Sequence, residues 1–151
     1  MKKIKKKTWY GLNATVTIGP GFIHNAGWGV FLIPHPPVAN WLLRIGLAER
    51  DREDLTFIHE FEHLQSAPFV LLYALLLSIL AFSRAHTGLA QIIFILIGSH
   101  AAWEIISEIL TYHNDSRLYR RCYQKIALFP RTAFWFITGA TAIIAWLIIL
   151  L

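Results

Sequence analysis

Cysteine and methionine are almost missing from this chain, with one of each in 151 residues. The single cysteine, Cys122, excludes an intramolecular disulfide and gives no redox information. Charge is scarce as well: charged residues make up 15% of the chain against 56% hydrophobic ones, too few to cover the buried helices of a soluble bundle. Also missing is an apolar run directly after the basic start. Met1-Lys2-Lys3-Ile4-Lys5-Lys6-Lys7 leads into a broken, glycine-containing segment, so no cleavable signal peptide is expected and the first span would act as the insertion signal.

The apolar residues are gathered into three blocks of the length a helix needs to cross a bilayer. These are Leu64 to Ser83, a stretch from Thr87 that carries on through Leu110 to about residue 111, and Thr132 to Leu151. The expected fold class is therefore a membrane α-helical protein with three transmembrane helices, in a single domain over residues 1–151. The formal net charge of +5 invites a nucleic-acid reading, but the lysines sit at one terminus and the arginines beside spans, so no nucleic-acid partner is expected. Arg117, Arg120, Arg121, Lys125 and Arg131 follow the second span. By the positive-inside rule that loop and the lysine-rich start both face the cytoplasm of a multi-pass cell-membrane protein. Trp135 and Trp146 are expected as interface anchors of the third span.

Ahead of the spans, residues 8–37 read as a small β-element. Asn13 to Ile18 alternates, Gly19-Pro20-Gly21 breaks the run, and Trp28 to Ile33 is a second β-rich run ended by Pro34-His35-Pro36-Pro37. An edge strand there could pair with an extended peptide, or the element could simply cap the helices; His24 and His35 read as ordinary polar residues. Val38 to Leu47 suits an interfacial helix. Glu49-Arg50-Asp51-Arg52-Glu53-Asp54 suits the solvated first turns of a helix over residues 49–66 that runs on into the first span, with a kink expected at Pro68.

That helix carries His59-Glu60-Phe61-Glu62-His63. Two histidines four apart share one helix face and can reach one zinc ion, and Glu60 beside them is placed to take a proton from water at the open coordination position. A third protein ligand is needed. A short antiparallel return would bring the end of the second span to the same bilayer face, where His100, Glu104 and Glu108 recur at spacings of four. Glu104 is the preferred third ligand and Glu108 the carboxylate that orients a ligating imidazole, with Glu108 or His100 as alternatives for the ligand. His113 and Arg117 follow closely enough to help bind a substrate carbonyl or the oxyanion formed from it.

Two β-runs, a charged helix start, H-E-x-x-H opening a transmembrane helix, a short return and a second span ending in Glu104-Ile105-Ile106-Ser107-Glu108 together resemble the catalytic core of integral-membrane gluzincin metallopeptidases. These are the zinc endopeptidases that include the CAAX-processing enzymes and the heat-shock protease HtpX. The likeness covers roughly residues 13–113, as a minimal version, and Glu108 stands where the family pattern has Asp. It implies one Zn2+ held by His59, His63 and Glu104, Glu60 as general base, and a downstream His and Arg near the substrate, for which His113 with Arg117 or Arg120 are the candidates. The expected activity is zinc-dependent hydrolysis of peptide bonds in a peptide or membrane-protein substrate at the cytoplasmic membrane surface. The alternative is a non-catalytic metal-dependent membrane protein, a sensor or assembly subunit. So small a set of spans leaves room for a homo-oligomer.

Overall fold

In the computed structural model the described residues are 2–18, 24–28, 31–35, 46–83 and 88–150. Four strands, β1 (Lys2–Lys7), β2 (Asn13–Ile18), β3 (His24–Trp28) and β4 (Phe31–His35), form an antiparallel sheet in the order β1-β2-β3-β4. Among the described residues four helices follow: α1 (Glu49–Ser83), α2 (Leu89–Asn114), α3 (Ser116–Lys125) and α4 (Leu128–Leu150). Of these, α1, α2 and α4 are long and apolar enough to cross a membrane.

The sheet is larger than the expected pair of runs. The lysine-rich start, read from sequence only as a topology signal, is strand β1, and its register sets Lys2 opposite Ile18 and Lys7 opposite Asn13. The run expected from Trp28 to Ile33 is two strands, paired antiparallel with Trp28 opposite Phe31 and His24 opposite His35. Charged side chains suit an edge strand such as β1, because they discourage pairing with another chain. The sheet packs on α1 through one apolar cluster, in which Ala14, Val16, Ile18 and Ala26 meet Phe57, Phe61 and Leu64. Lys6 lays its ammonium group 4.5 Å from the centre of the Phe61 ring. The helix expected over Val38 to Leu47 lies largely outside the described residues, as does the Arg84 to Thr87 turn.

Helix α1 unites the expected motif helix and first span in one element of 35 residues that continues through Pro68. Proline has no N–H to give the carbonyl four residues earlier, here that of Leu64. The Tyr10 hydroxyl donates to that carbonyl instead, and the Trp9 indole N–H donates to the next one, Gln65, at 2.8 Å. The β1–β2 turn is thus fastened to the helix at its proline.

Helix α3, between the second and third spans, was not expected. Asp115 caps it, accepting from the backbone N–H of Leu118 at 3.0 Å. Its apolar side, Tyr119 and Cys122, packs with Leu47, Leu55, Ile126 and Phe134. On its other side, Arg121 at 3.0 Å and Lys125 both reach the carboxylate of Asp51, tying α3 to the start of α1. Deeper in the bundle Trp146, expected at an interface, packs on Tyr73 with ring centres 6.0 Å apart, beside Leu77, Ala81 and Ile149.

Candidate metal centre

Helices α1 and α2 run antiparallel, so the first turns of α1 face the last turns of α2. His59, Glu60 and His63 come from α1, Glu104, Ser107 and Glu108 from α2, and all six are buried. Their ligand-bearing atoms converge. His59 Nε2 and His63 Nε2 lie 2.8 Å apart, and Glu104 places Oε2 at 3.4 Å from the first and Oε1 at 3.4 Å from the second. His59, Glu60 and His63 each turn a ligand atom into one space, within 4.8 Å of one another.

The outer nitrogen of each imidazole is held as well. Glu108 Oε2 is 2.7 Å from His59 Nδ1, and Ser107 Oγ is 3.0 Å from His63 Nδ1. With the Glu108 carboxylate ionised and a proton on His59 Nδ1, the Nε2 lone pair of the neutral ring faces Glu104. A lone pair and a carboxylate turned on one point are reconciled by a cation, either a proton or a metal ion. Zinc bonds of about 2.0–2.1 Å at tetrahedral angles would set the donors about 3.3 Å apart. Each Glu104 oxygen meets that spacing to one imidazole, Oε2 to His59 and Oε1 to His63, and the imidazoles would have to part by about half an ångström. Two imidazoles and a carboxylate, with the imidazoles braced from behind, are a donor set that suits zinc.

The three alternatives for the third ligand are placed differently. Glu104 faces both Nε2 atoms, whereas Glu108 lies behind His59. The half-exposed His100 sits outside the cluster, 3.7 Å from Glu104 Oε1. His113 and Arg117 are not brought in. His113 is exposed at the end of α2 with its ring against Tyr112. Arg117 is exposed on α3 and lines a surface pocket of about 540 Å³ with Asp54, Phe57 and Arg121. Neither makes a hydrogen bond or ion pair with the cluster among the described residues.

Sequence reasoning missed Ser107, Ser66, Trp103 and Asn114. Ser66 bonds back to the Glu62 carbonyl at 2.7 Å and meets Ser107 Oγ at 3.3 Å, and the Trp103 indole donates to the His63 carbonyl at 2.8 Å. Asn114 donates to Glu62 at 2.6 Å, which gives the buried extra acidic residue inside the motif a partner at the exposed end of α2. Ser66 and Ser107 each stand three residues beyond a candidate ligand, on the same helix face, and that spacing is the signal that could have found them. Farther back, burial pushes the Tyr119 phenol well above its ordinary pKa, and the Glu108 carboxylate adds to the shift.

Comparison with protein-family models, with curated proteins and with solved structures found no match. What this centre does has to be read from its own geometry.

Proposed function

We propose that this chain is an integral-membrane zinc endopeptidase of the gluzincin type, with its centre at the cytoplasmic surface of the bilayer. The observation that carries the reading is the convergence of His59 Nε2, His63 Nε2 and the Glu104 carboxylate on one buried point, with Glu108 and Ser107 bracing the far side of the two rings. His59, His63 and Glu104 would hold the metal. Bound zinc supplies Lewis acidity toward a peptide carbonyl and lowers the pKa of water.

The remaining chemistry belongs to the protein. Glu60, one residue from His59 and turned into the same space, takes the proton of the attacking water and returns it to the leaving amine. Glu108 fixes the tautomer and plane of the His59 ring, and Ser107 holds the His63 ring. Burial excludes bulk water, which strengthens each of these interactions. The basic residues of β1 and α3 support the cytoplasmic assignment through the positive-inside rule.

Glu60→Gln tests the reading against a metal site without catalysis. In detergent-purified, zinc-loaded protein the variant is expected to keep its zinc and lose at least about a hundredfold in peptide hydrolysis. Equal turnover in wild type and variant, with zinc present in both, would leave a structural or sensing metal site as the better description.

A further inference from the structure

The β1–β2 turn presents an apolar surface that the fold does not cover. Trp9 is 63% exposed and Leu12 51%, and beside them Phe69 of α1 is 55% exposed. The Trp9 and Phe69 rings lie 5.9 Å apart. The turn is held in place: Trp9 N–H donates to Gln65 Oε1 at 2.9 Å, its indole to the Gln65 carbonyl at 2.8 Å, and Tyr10 to the Leu64 carbonyl. The Trp28 indole secures Tyr10 from the sheet side at 2.8 Å. An exposed indole fixed this firmly, next to the first exposed aromatic of an apolar helix, belongs to a surface with an apolar side and a wet side.

Among the described residues, Trp103 and Trp135 of the other long helices lie near the same height. Trp103 of α2 bonds the carbonyl of His63 and the hydroxyl of Ser66. Trp135 of α4 lies eleven residues before Trp146, which packs on Tyr73. Because α4 runs parallel to α1, eleven residues back from Tyr73 sets Trp135 level with Glu62. Trp135 is partly exposed and donates to the Tyr123 hydroxyl at 2.6 Å. Trp9, Trp103 and Trp135 therefore ring the helices near Gln65.

We propose that the β1–β2 turn is seated in the lipid interface, with Trp9 and Leu12 among the headgroups and upper acyl chains, and that this ring of indoles marks the bilayer boundary. The inference rests on the membrane reading above and adds a position to it. His63 is two residues and His59 six residues from Gln65 on α1, about 3 and 9 Å along the axis. The centre thus lies within two helical turns of the boundary. The substrate class it fits is a peptide bond in the juxtamembrane segment of a membrane-anchored chain.

The test uses the full chain in vesicles of phosphatidylcholine and phosphatidylglycerol that contain a lipid quencher placed near the headgroup. An environment-sensitive fluorophore is attached to a cysteine introduced at Leu12, at Phe82 as the span control, or at Lys5 as the water control, with Cys122→Ala as background. Should that background not fold, the buried native Cys122 is retained, being shielded from label in the folded protein. Quenching and a blue shift at Leu12 comparable to Phe82, with neither at Lys5, is the expected result. Lipid contact at Phe82 with a Leu12 signal like that of Lys5 would overturn the proposal while the spans stand. No lipid contact at Phe82 would overturn the membrane reading and this proposal with it.

Discussion

The Tyr10 hydroxyl occupies the place of the N–H that Pro68 lacks, donating to the carbonyl of Leu64 in a helix that runs on through the proline. A residue in the turn of the sheet thus repairs a defect in the helix that carries the candidate metal centre. Tyr10→Phe is expected to lower stability by about 1–2 kcal/mol, since it removes the donor and also the acceptor of the Trp28 indole. The cost should shrink in a Pro68→Ala background, where the backbone supplies its own N–H. A double-mutant cycle by equilibrium unfolding measures this, and equal costs in both backgrounds would contradict the pairing.

Metal content follows from which groups face the convergent point. Wild type is expected to hold about one zinc per chain, as a site with three protein ligands would. Glu104→Ala should abolish it, whereas His100→Ala and His113→Ala should leave it in place. Elemental analysis of detergent-purified protein decides. Zinc lost with His100 and kept without Glu104 would transfer the third ligand to His100.

Behind the imidazoles, Glu108→Gln and Ser107→Ala should each weaken zinc binding by about 10–100-fold without abolishing it. Competition with a chelator of known affinity reads this directly. Glu108 is expected to have the larger effect, because it alone brings a negative charge to its ring.

Helix packing makes a prediction away from the centre. A Cβ added at Gly98 of α2 would stand 2.5 Å from the Cβ of Ala145 on α4, closer than such atoms approach. Gly98→Val should destabilise the bundle by about 1–3 kcal/mol, and Ala145→Gly should recover part of the loss. Unfolding in mixed micelles, compared across the two single variants and the double, tests the contact.

Much of this was legible from residue spacing, and the failures have physical causes. The three long apolar helices follow from uncharged blocks of bilayer length, and the meeting of His59 with Glu104 and Glu108 follows from helical spacing joined to an antiparallel return. Strand β1 was hidden because its pattern is lysine around one isoleucine, and it becomes a strand through the partner that β2 offers. Helix α3 was hidden by its arginines, which masked the spacing of Leu118, Tyr119 and Cys122 behind the Asp115 cap. A kink was expected at Pro68 from the sequence, but not the neighbour that supplies a donor to the Leu64 carbonyl there. No local pattern announces Tyr10 as the partner of a carbonyl 54 residues away.

Helix α1 is one continuous helix of 35 residues, about 52 Å long, with its polar motif toward one end and its apolar length at the other. In the proposed membrane setting, a helix embedded along much of its length works as a lever. When the surrounding lipid becomes thinner the embedded part leans over, and the two histidines swing with it relative to whatever is held at the surface. Under that proposal, bilayer thickness becomes a mechanical input to the candidate centre, delivered without a ligand.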